Sequence, residues 1–577
     1  MASRSEVPGY PDVAEGGSPL ERVRELVRSF GVAGRGHREA VAMLADGCTL
    51  AGVVRATAVP RRLVEQVLGA LGDDLVSDGE RLRIRPDKAG EYREAFGAAR
   101  LGPTAVELPG EGRLRDADAL IGEMERIIAA APRPKKALDH VPATPETAVR
   151  RALWLDGTYE LAGATLLCIG DHDLTSIVTC LVNPAVRAVV VDLDEDLLAY
   201  VGQVAAERGL RIETGWADFR FGLPASAREC ADLVFTDPPY TPDGVRLFLA
   251  RGLEGLRDRE HGRLLMAYGF GSHHPGLGYN VQQAAGDLSL VYEAILPHFN
   301  RYDGAQAVGS ASDLYVCRPT ARTWRSLSRV ATDAVTIYTH GTQSSEARSG
   351  RGEEAVTEAV RAAARGQDEL EVAADVPLGA VLDGTAQASV RNARTTAYAA
   401  DLSDDPGAWL FRALLGVTAR RVAVAVPNGH PDIGSEAAQS ALRDDLAGKW
   451  TLTFRRSTPD PRHAVVVADE AGATTDPVAA ARRVVLSGAS RNLGNAWRDA
   501  LVKAARAGGG SLGKAEAREI VASAAASAGL PDETLARPLA TLPRSRVRAV
   551  LSAVVGSLPQ VNVTARTDRG IVHEQVR

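Results

Sequence analysis

Along this chain, apolar and polar positions alternate with a period that changes from region to region. In segments 38–46, 50–57 and 60–71 apolar residues recur every three or four positions. That spacing predicts short helices with one buried face, and Pro60 suits a helix start. Leu75-Val76 and Leu82-Arg83-Ile84 then flank Asp78-Gly79, a hairpin-turn pair. Three helices and a hairpin predict a winged helix-turn-helix. From residue 164 the pattern becomes strand-like apolar runs at 164–169, 188–191 and 231–235, with a helical stretch at 174–182 after the first. This predicts an open α/β sheet. Further β-rich runs at 334–338, 422–426 and 464–468, mixed with a helical segment at 354–364, predict another α/β domain. The last hundred residues have helical spacing.

The resulting division is residues 1–17 disordered, 18–131 a winged-helix-like domain, 132–138 a linker, 139–320 a catalytic α/β domain, 321–475 an α/β domain without assignable chemistry, and 476–577 a helical region. Residues 1–17 are rich in Gly, Pro and Ser. The linker holds Pro132-Arg133-Pro134-Lys135-Lys136.

Candidate chemistry collects where the strand runs end. The run 164–169 breaks at Gly170-Asp171-His172-Asp173-Leu174-Thr175-Ser176 before a helix, and open α/β sheets bind ligands at such strand-to-helix turns. Alone, this segment also reads as a turn with an N-capping carboxylate. The next run ends at Asp192, where an acidic side chain accepts hydrogen bonds from ribose hydroxyls in nucleotide folds. A third delivers Asp237-Pro238-Pro239-Tyr240-Thr241 to the same edge. Two prolines fix φ and remove backbone donors, leaving carbonyls to accept from an amine beside a rigidly held ring. Elsewhere the readings are structural. Asp313 caps a turn and His430 belongs to one. The segment Gly508-Gly509-Gly510-Ser511-Leu512-Gly513-Lys514-Ala515 fails as a phosphate loop, because Ala515 lacks the hydroxyl that would hold magnesium; Ser511 is expected to cap the following helix.

These motifs resemble the branched-chain polyamine synthases, bis-aminopropyltransferases with a Gly-Asp-Asp-Asp-Leu-Thr-Ser type motif and an Asp-Pro-Pro-Tyr-Thr motif. The similarity runs from about Asp139 to Thr320. It includes Pro145-Glu146-Thr147, Arg150, Arg151, Ala217-Asp218-Phe219-Arg220 and Ser312-Asp313-Leu314-Tyr315-Val316. His172 stands where the family has an aspartate. The resemblance implies a methyltransferase-like Rossmann core, a winged-helix N-terminal domain, decarboxylated S-adenosylmethionine as co-substrate and no metal. It implies that Gly170, Asp192 and Asp218 hold the donor, with Asp192 on the ribose and Asp218 on the adenine. Asp237, with the Pro238 and Pro239 carbonyls, would orient the attacking amine, Asp171 or Asp173 would bind ammonium groups, and His172 and Tyr240 would face the acceptor. An alkyl amine with a pKa near 10.4 must lose a proton before attack, at about 4 kcal/mol near neutrality. Asp171, Asp173 and Asp237 all remain candidates for the base.

Charge and composition bear on the alternatives. Residues 151–320 hold thirteen arginines and no lysine against 22 acidic residues, which suits a cationic substrate. A polyamine or another amine is the expected partner. An S-adenosylmethionine-dependent N-methyltransferase or an aminocarboxypropyltransferase is the alternative, although the methionine carboxylate would face Asp171 and Asp173. A different class is a winged-helix regulator that binds DNA and senses polyamines. Arg55, Arg61 and Arg62 favour it; Glu65, Asp73, Asp74, Asp78 and Glu80 oppose it, so nucleic acid is not an expected partner. The five cysteines show no paired spacing, and no signal-type or 18-residue apolar run occurs. A cytoplasmic, homo-oligomeric enzyme is expected. The motif-bearing segment is also expected to retain chemistry without residues 321–577, provided it shares no core with them.

Overall fold

The computed structural model describes residues 17–30, 34–96, 108, 110–271, 274–304, 309–328, 337, 354–373, 378–382, 396–507 and 509–570, with side chains to 558. The expected disorder of residues 1–16, most of the strand run 334–338 and Gly508 lie outside the described residues.

Near the N-terminus, helices Pro19–Ser29, Arg35–Asp46, Leu50–Thr57 and Arg61–Leu71 precede strands Leu75–Asp78 and Arg81–Ile84. The two strands and the short Cys48–Thr49 form an antiparallel sheet. Their apolar faces bury Val23, Leu44, Val67, Ile84, Tyr92 and Phe96 in a core of their own. Arg55 pairs with Asp303 at 2.7 Å and Arg61 with Glu65 at 2.9 Å, so both of these arginines, considered for phosphate contact, already have carboxylate partners.

The central sheet has seven strands: β1 (Thr165–Ile169), β2 (Arg187–Asp192), β3 (Ile212–Trp216), β4 (Leu233–Thr236), β5 (Arg263–Tyr268), β6 (Val291–Arg301) and β7 (Ala311–Arg318). Their order is β3-β2-β1-β4-β5-β7-β6. The first five are parallel, and β7 runs antiparallel to both neighbours. Burial on both faces explains the solid apolar runs read from the sequence. Leu166 and Cys168 of β1 face one core with the helix Thr175–Val182; Leu167 and Ile169 face the other with the helix Pro242–Gly255. The chain therefore leaves β1 and β4 toward opposite faces, opening a crevice at their carboxyl ends.

Residues 371–470 supply a five-stranded sheet, and helices continue to residue 570. Three readings need correction. Helix Asp118–Ala130 packs on helix Pro145–Thr158, burying Met124 and Ile127 with the central sheet, so the N-terminal core ends at Phe96 rather than at the 131 boundary. Gly513, not Ser511, caps the helix Lys514–Ser527, and Ser511 lies exposed outside it. One core also runs without a break from Leu114 to Leu558, joining central-sheet residues such as Val201 and Trp216 to Trp409, Leu410 and Val547. The central sheet and the C-terminal helices are thus a single packed body, and the condition for an independent motif segment is not met.

Candidate active site

The crevice widens into a cavity of about 1000 Å³, at the upper end of the range for small-molecule sites. Of the residues expected to form a site, Gly170, Asp171, His172, Asp173, Asp192, Asp237, Pro238, Pro239 and Tyr240 all line it. Asp218 does not. Its carboxylate is buried and accepts from the Arg220 backbone and guanidinium, at 3.0 and 2.9 Å on one oxygen, and from Trp409 Nε1 at 3.0 Å on the other. Its neighbour Phe219 reaches the wall instead. The expectation that Asp218 meets a ligand directly is corrected, because its oxygens are already taken.

Gly170 turns the chain with φ of 72°, a region that favours glycine. Asp171 bends back to the helix that follows, accepting from Ser176 N–H at 3.2 Å and Ser176 Oγ at 2.5 Å. Asp173 accepts from Ala143 N–H at 2.8 Å and from Arg151 Nη1 at 2.8 Å. Both carboxylates are therefore structurally engaged as well as lining the cavity. Asp192 accepts from the N–H groups of Asp194 (2.8 Å) and Asp171 (3.3 Å), at the end of β2.

Asp237 sits at the end of β4. One of its oxygens accepts from Tyr302 Oη at 2.6 Å and from Arg151 Nη2 at 3.0 Å, and a fifth of its side chain stays exposed to the cavity. Thr241 begins the next helix by accepting from Gly244 N–H at 3.0 Å, and its own N–H donates to the Pro239 carbonyl at 2.8 Å. Only the Pro238 carbonyl, among the two expected acceptors, is without such a bond among the described residues. Tyr240 donates to Tyr302 Oη at 3.3 Å, and its ring packs edge-on to Tyr268.

Arg151 ties these parts together. It is 1% exposed, on the helix Pro145–Thr158, and also donates to Asn300 Oδ1 at 2.7 Å. Burial removes solvent from Asp171 and Asp192 and pushes each carboxyl up to about 7; Asp173 adds to the rise in the first and Asp194 in the second. Asp237 is raised by burial and by the charge of Asp173, against the pull of Arg151 and Tyr302. Asp173 is held below the ordinary carboxylate range by Arg151 despite its burial.

His172 stacks on His140, with ring centroids 4.2 Å apart and planes 15° from parallel. Burial, then the neighbouring His172 and Lys135, push His140 down to about 3, and burial lowers His172 as well, so both rings are neutral near pH 7. The supposed linker is a wall: Arg133, Pro134 and Lys136 line the cavity, and Lys135 donates to Asp194 and Asp196 at 2.6 and 2.8 Å. Sequence reasoning missed Tyr302, Asn300 and His140 as site residues and gave Arg151 no role. Arg151 had a signal, a charge within the apolar stripe of Ala148, Ala152 and Leu155. The described residues contain no group of side chains able to hold a metal ion, and no described helix is long and apolar enough to cross a membrane.

Parallel strands, a switch point at β1 and β4, and carboxylates at three strand ends define an open, doubly wound α/β domain with its crevice at the carboxyl ends of the strands. Residues 119–359 match the family model of the branched-chain polyamine synthase A C-terminal domain, which bears out the resemblance read from the motifs. An uncharacterised protein of Methanocaldococcus jannaschii is 37% identical over 176 residues, covering 30% of this chain and 44% of that protein. The N(4)-bis(aminopropyl)spermidine synthase of the same organism is 29% identical over 223 residues (37% and 63%), and that of Thermococcus kodakarensis is 33% identical over 151 residues (26% and 43%). The chain thus spans roughly half the length of these relatives. A solved branched-chain polyamine synthase from Thermus thermophilus, in complex with N4-aminopropylspermidine and 5'-methylthioadenosine, covers 52% of this chain and 92% of its own, at 21% identity and a TM-score of 0.36.

Proposed function

We propose that this chain moves the aminopropyl group of decarboxylated S-adenosylmethionine to an amine nitrogen of a polyamine-like acceptor, releasing methylthioadenosine. The observation that carries the reading is one cavity lined by Asp139, Asp171, Asp173, Asp192, Asp237 and Asp303, with a ribose-type carboxylate at the end of β2 and Asp237-Pro238-Pro239-Tyr240 at the end of β4. An acidic cavity concentrates cations. The similarity to N(4)-bis(aminopropyl)spermidine synthases supports the same chemistry.

In this reading Asp192 accepts from the donor's ribose hydroxyls, and Phe219 and Leu193 contact its nucleoside. The acceptor ammonium enters past His140 and His172. Asp237 takes its proton while the Pro238 carbonyl orients the nitrogen. The nitrogen lone pair attacks the carbon beside the sulfonium; the C–N bond forms as the C–S bond breaks, and the electron pair stays on sulfur in methylthioadenosine. Neither a metal nor a covalent enzyme intermediate is needed.

The N-terminal helices and hairpin are read as a winged-helix-like packing module rather than a DNA reader, supported by the Arg55–Asp303 contact with the cavity rim. The five free cysteines support a reducing, cytoplasmic setting. The deciding experiment incubates purified protein with decarboxylated or ordinary S-adenosylmethionine and a panel of amines, read by mass spectrometry. A product heavier by one or two aminopropyl groups is expected from the decarboxylated donor. A methyl or aminocarboxypropyl gain from S-adenosylmethionine alone would overturn the reading.

A further inference from the structure

The helix Trp409–Gly416 lies far along the chain from every motif, yet it grips the two loops that carry the nucleoside half of the cavity. Trp409 donates from Nε1 to Asp218 at 3.0 Å, its ring stands edge-on to Phe221, and the Arg220 guanidinium lies 5.0 Å over it. All of this falls in the loop after β3, whose Phe219 lines the cavity. One turn later, Arg412 donates from Nε to Glu195 at 3.1 Å and lies 4.6 Å over the Trp216 ring, while its Nη1 donates to the Ala540 carbonyl at 2.9 Å. Glu195 opens the helix after β2, three residues past Asp192 and two past Leu193, which both line the cavity. Residues i and i+3 of one helix face the same way, so a single rigid element holds both loops.

The helix is itself over-determined. Asp405 accepts from the N–H groups of Gly407, Ala408, Trp409 and Leu410 at 2.7 to 2.9 Å. His430 Nε2 lies 2.8 Å from the same carboxylate, and neither side chain of that pair is exposed. Four N–H groups and a histidine on one buried aspartate fix the start of the helix, and with it the aim of Trp409.

We infer that the C-terminal part of the chain is the outer support of the donor's nucleoside pocket, with Trp409 and Arg412 as positioning residues acting through Asp218 and Glu195. This rests on the proposed aminopropyl transfer for the identity of the nucleoside. It gives a role to residues that lie beyond the matched family domain, and it explains why Asp218 faces away from the cavity: the aspartate anchors the loop, and Phe219 makes the contact.

The test uses the full chain carrying Trp409→Phe, which keeps an aromatic ring, removes the indole N–H and trims the bicycle to a single ring, a loss of volume that the control below shares. Calorimetry with methylthioadenosine should show roughly 10-fold weaker binding, at the low end of what loss of an outer hydrogen-bond partner costs at built metal sites. The acceptor KM should stay within twofold. Trp450→Phe is the control, because its Nε1 donates at 2.7 Å to the Leu414 carbonyl of the same helix and reaches neither loop. It should destabilise the fold to a similar degree and leave methylthioadenosine affinity unchanged. Arg412→Lys supplies the same reading through Glu195 if Trp409→Phe does not fold. Equal affinity in wild type and these loop-gripping variants overturns the inference, as does equal weakening by Trp450→Phe. A wild-type protein that does not bind methylthioadenosine at all instead overturns the aminopropyl reading on which the inference stands.

Discussion

Replacing Asp237 by Asn removes one proton acceptor and little volume. In the wild-type protein this carboxyl is pushed up to about 7 from an ordinary 3.8. Moving a proton from an alkylammonium of pKa near 10.4 to an ordinary carboxylate is uphill by about 9 kcal/mol; moving it to Asp237 is uphill by about 5 kcal/mol. The environment therefore lowers that step by about 4 kcal/mol, with burial the largest cause. An amide cannot take the proton, so kcat should fall by about 10²–10⁴-fold. Methylthioadenosine affinity should stay within a few-fold, because Asp192 is untouched. The pH profile separates this role from mere packing. Asp237 is ionised above its raised pKa, so wild-type kcat should drop about tenfold per pH unit below pH 7 and level above it. In Asp237→Asn that limb should vanish and the rate should climb toward pH 10, as free amine replaces ammonium. Steady-state assays from pH 5.5 to 10, with saturating donor and acceptor, give both quantities. A variant with kcat within tenfold of wild type, or one whose rate does not climb toward pH 10, would refute the assignment.

Asp192→Asn should weaken methylthioadenosine binding while stabilising the protein at alkaline pH. Folded Asp171, Asp192 and Asp237 keep protons that an unfolded carboxyl loses above about pH 4, so their contribution to stability falls as pH rises toward 7; melting temperatures of Asp192→Asn that do not exceed wild type more at pH 8 than at pH 5 would contradict this. His172→Asp should change acceptor choice by roughly 10- to 100-fold in kcat/KM toward more highly charged amines, since it adds a charge at the cavity wall at an effective dielectric near 20; unchanged ratios across an amine panel would remove His172 from acceptor selection. Deleting residues 321–577 should give insoluble protein, because it strips Trp409, Leu410 and Val547 from a core shared with Val201 and Trp216; a soluble fragment with a cooperative melt would show that the central sheet folds alone.

What the sequence made legible is what lies on one strand or turn. Apolar runs ending in Gly170, Asp192 and Asp237 located β1, β2 and β4 within a residue or two, because buried parallel strands are solidly apolar and their carboxyl ends are marked by turn residues. The assembled site depends instead on contacts between distant segments. Arg151 meets Asn300 across 149 positions, and Trp409 meets Asp218 across 191. Local patterning carries no trace of such pairs. Asp218 shows the consequence: the family resemblance implied a contact with adenine, whereas Arg220 and a tryptophan from a distant region hold its carboxylate as an anchor. The proline-rich segment before residue 139 misled in the opposite direction. Pro132-Arg133-Pro134-Lys135-Lys136 has the composition of a linker, but Lys135 pairs with Asp194 and Asp196, and the residues beside it form part of the cavity wall.

The shared guanidinium of Arg151 bears on which aspartate is the base. Two carboxylates, Asp173 and Asp237, contact it at 2.8 and 3.0 Å, but their surroundings differ. Asp173 is further held by the Ala143 N–H and is lowered; Asp237 shares its oxygen with Tyr302, keeps one face toward the cavity and is raised, in part by Asp173 itself. A pair of acids pushed apart in this way divides the work of an acid–base site. Under the proposed reaction, Asp173 stays ionised and keeps a cation-attracting field at the turn, and Asp237 is the member poised to receive a proton. Asp171, bent onto Ser176, shapes the turn more than it faces a substrate. Arg151 does not line the cavity, so a ligand meets the aspartates before the compensating charge. A free aspartate about 6 Å from a donor carboxylate would disfavour it by roughly 2–3 kcal/mol at a dielectric near 20. With Arg151 one layer behind and Arg133 and Lys136 on the cavity wall, that penalty shrinks, and under the proposed reaction the donor preference rests on the tail ammonium lying nearer to Asp173 than to these cations.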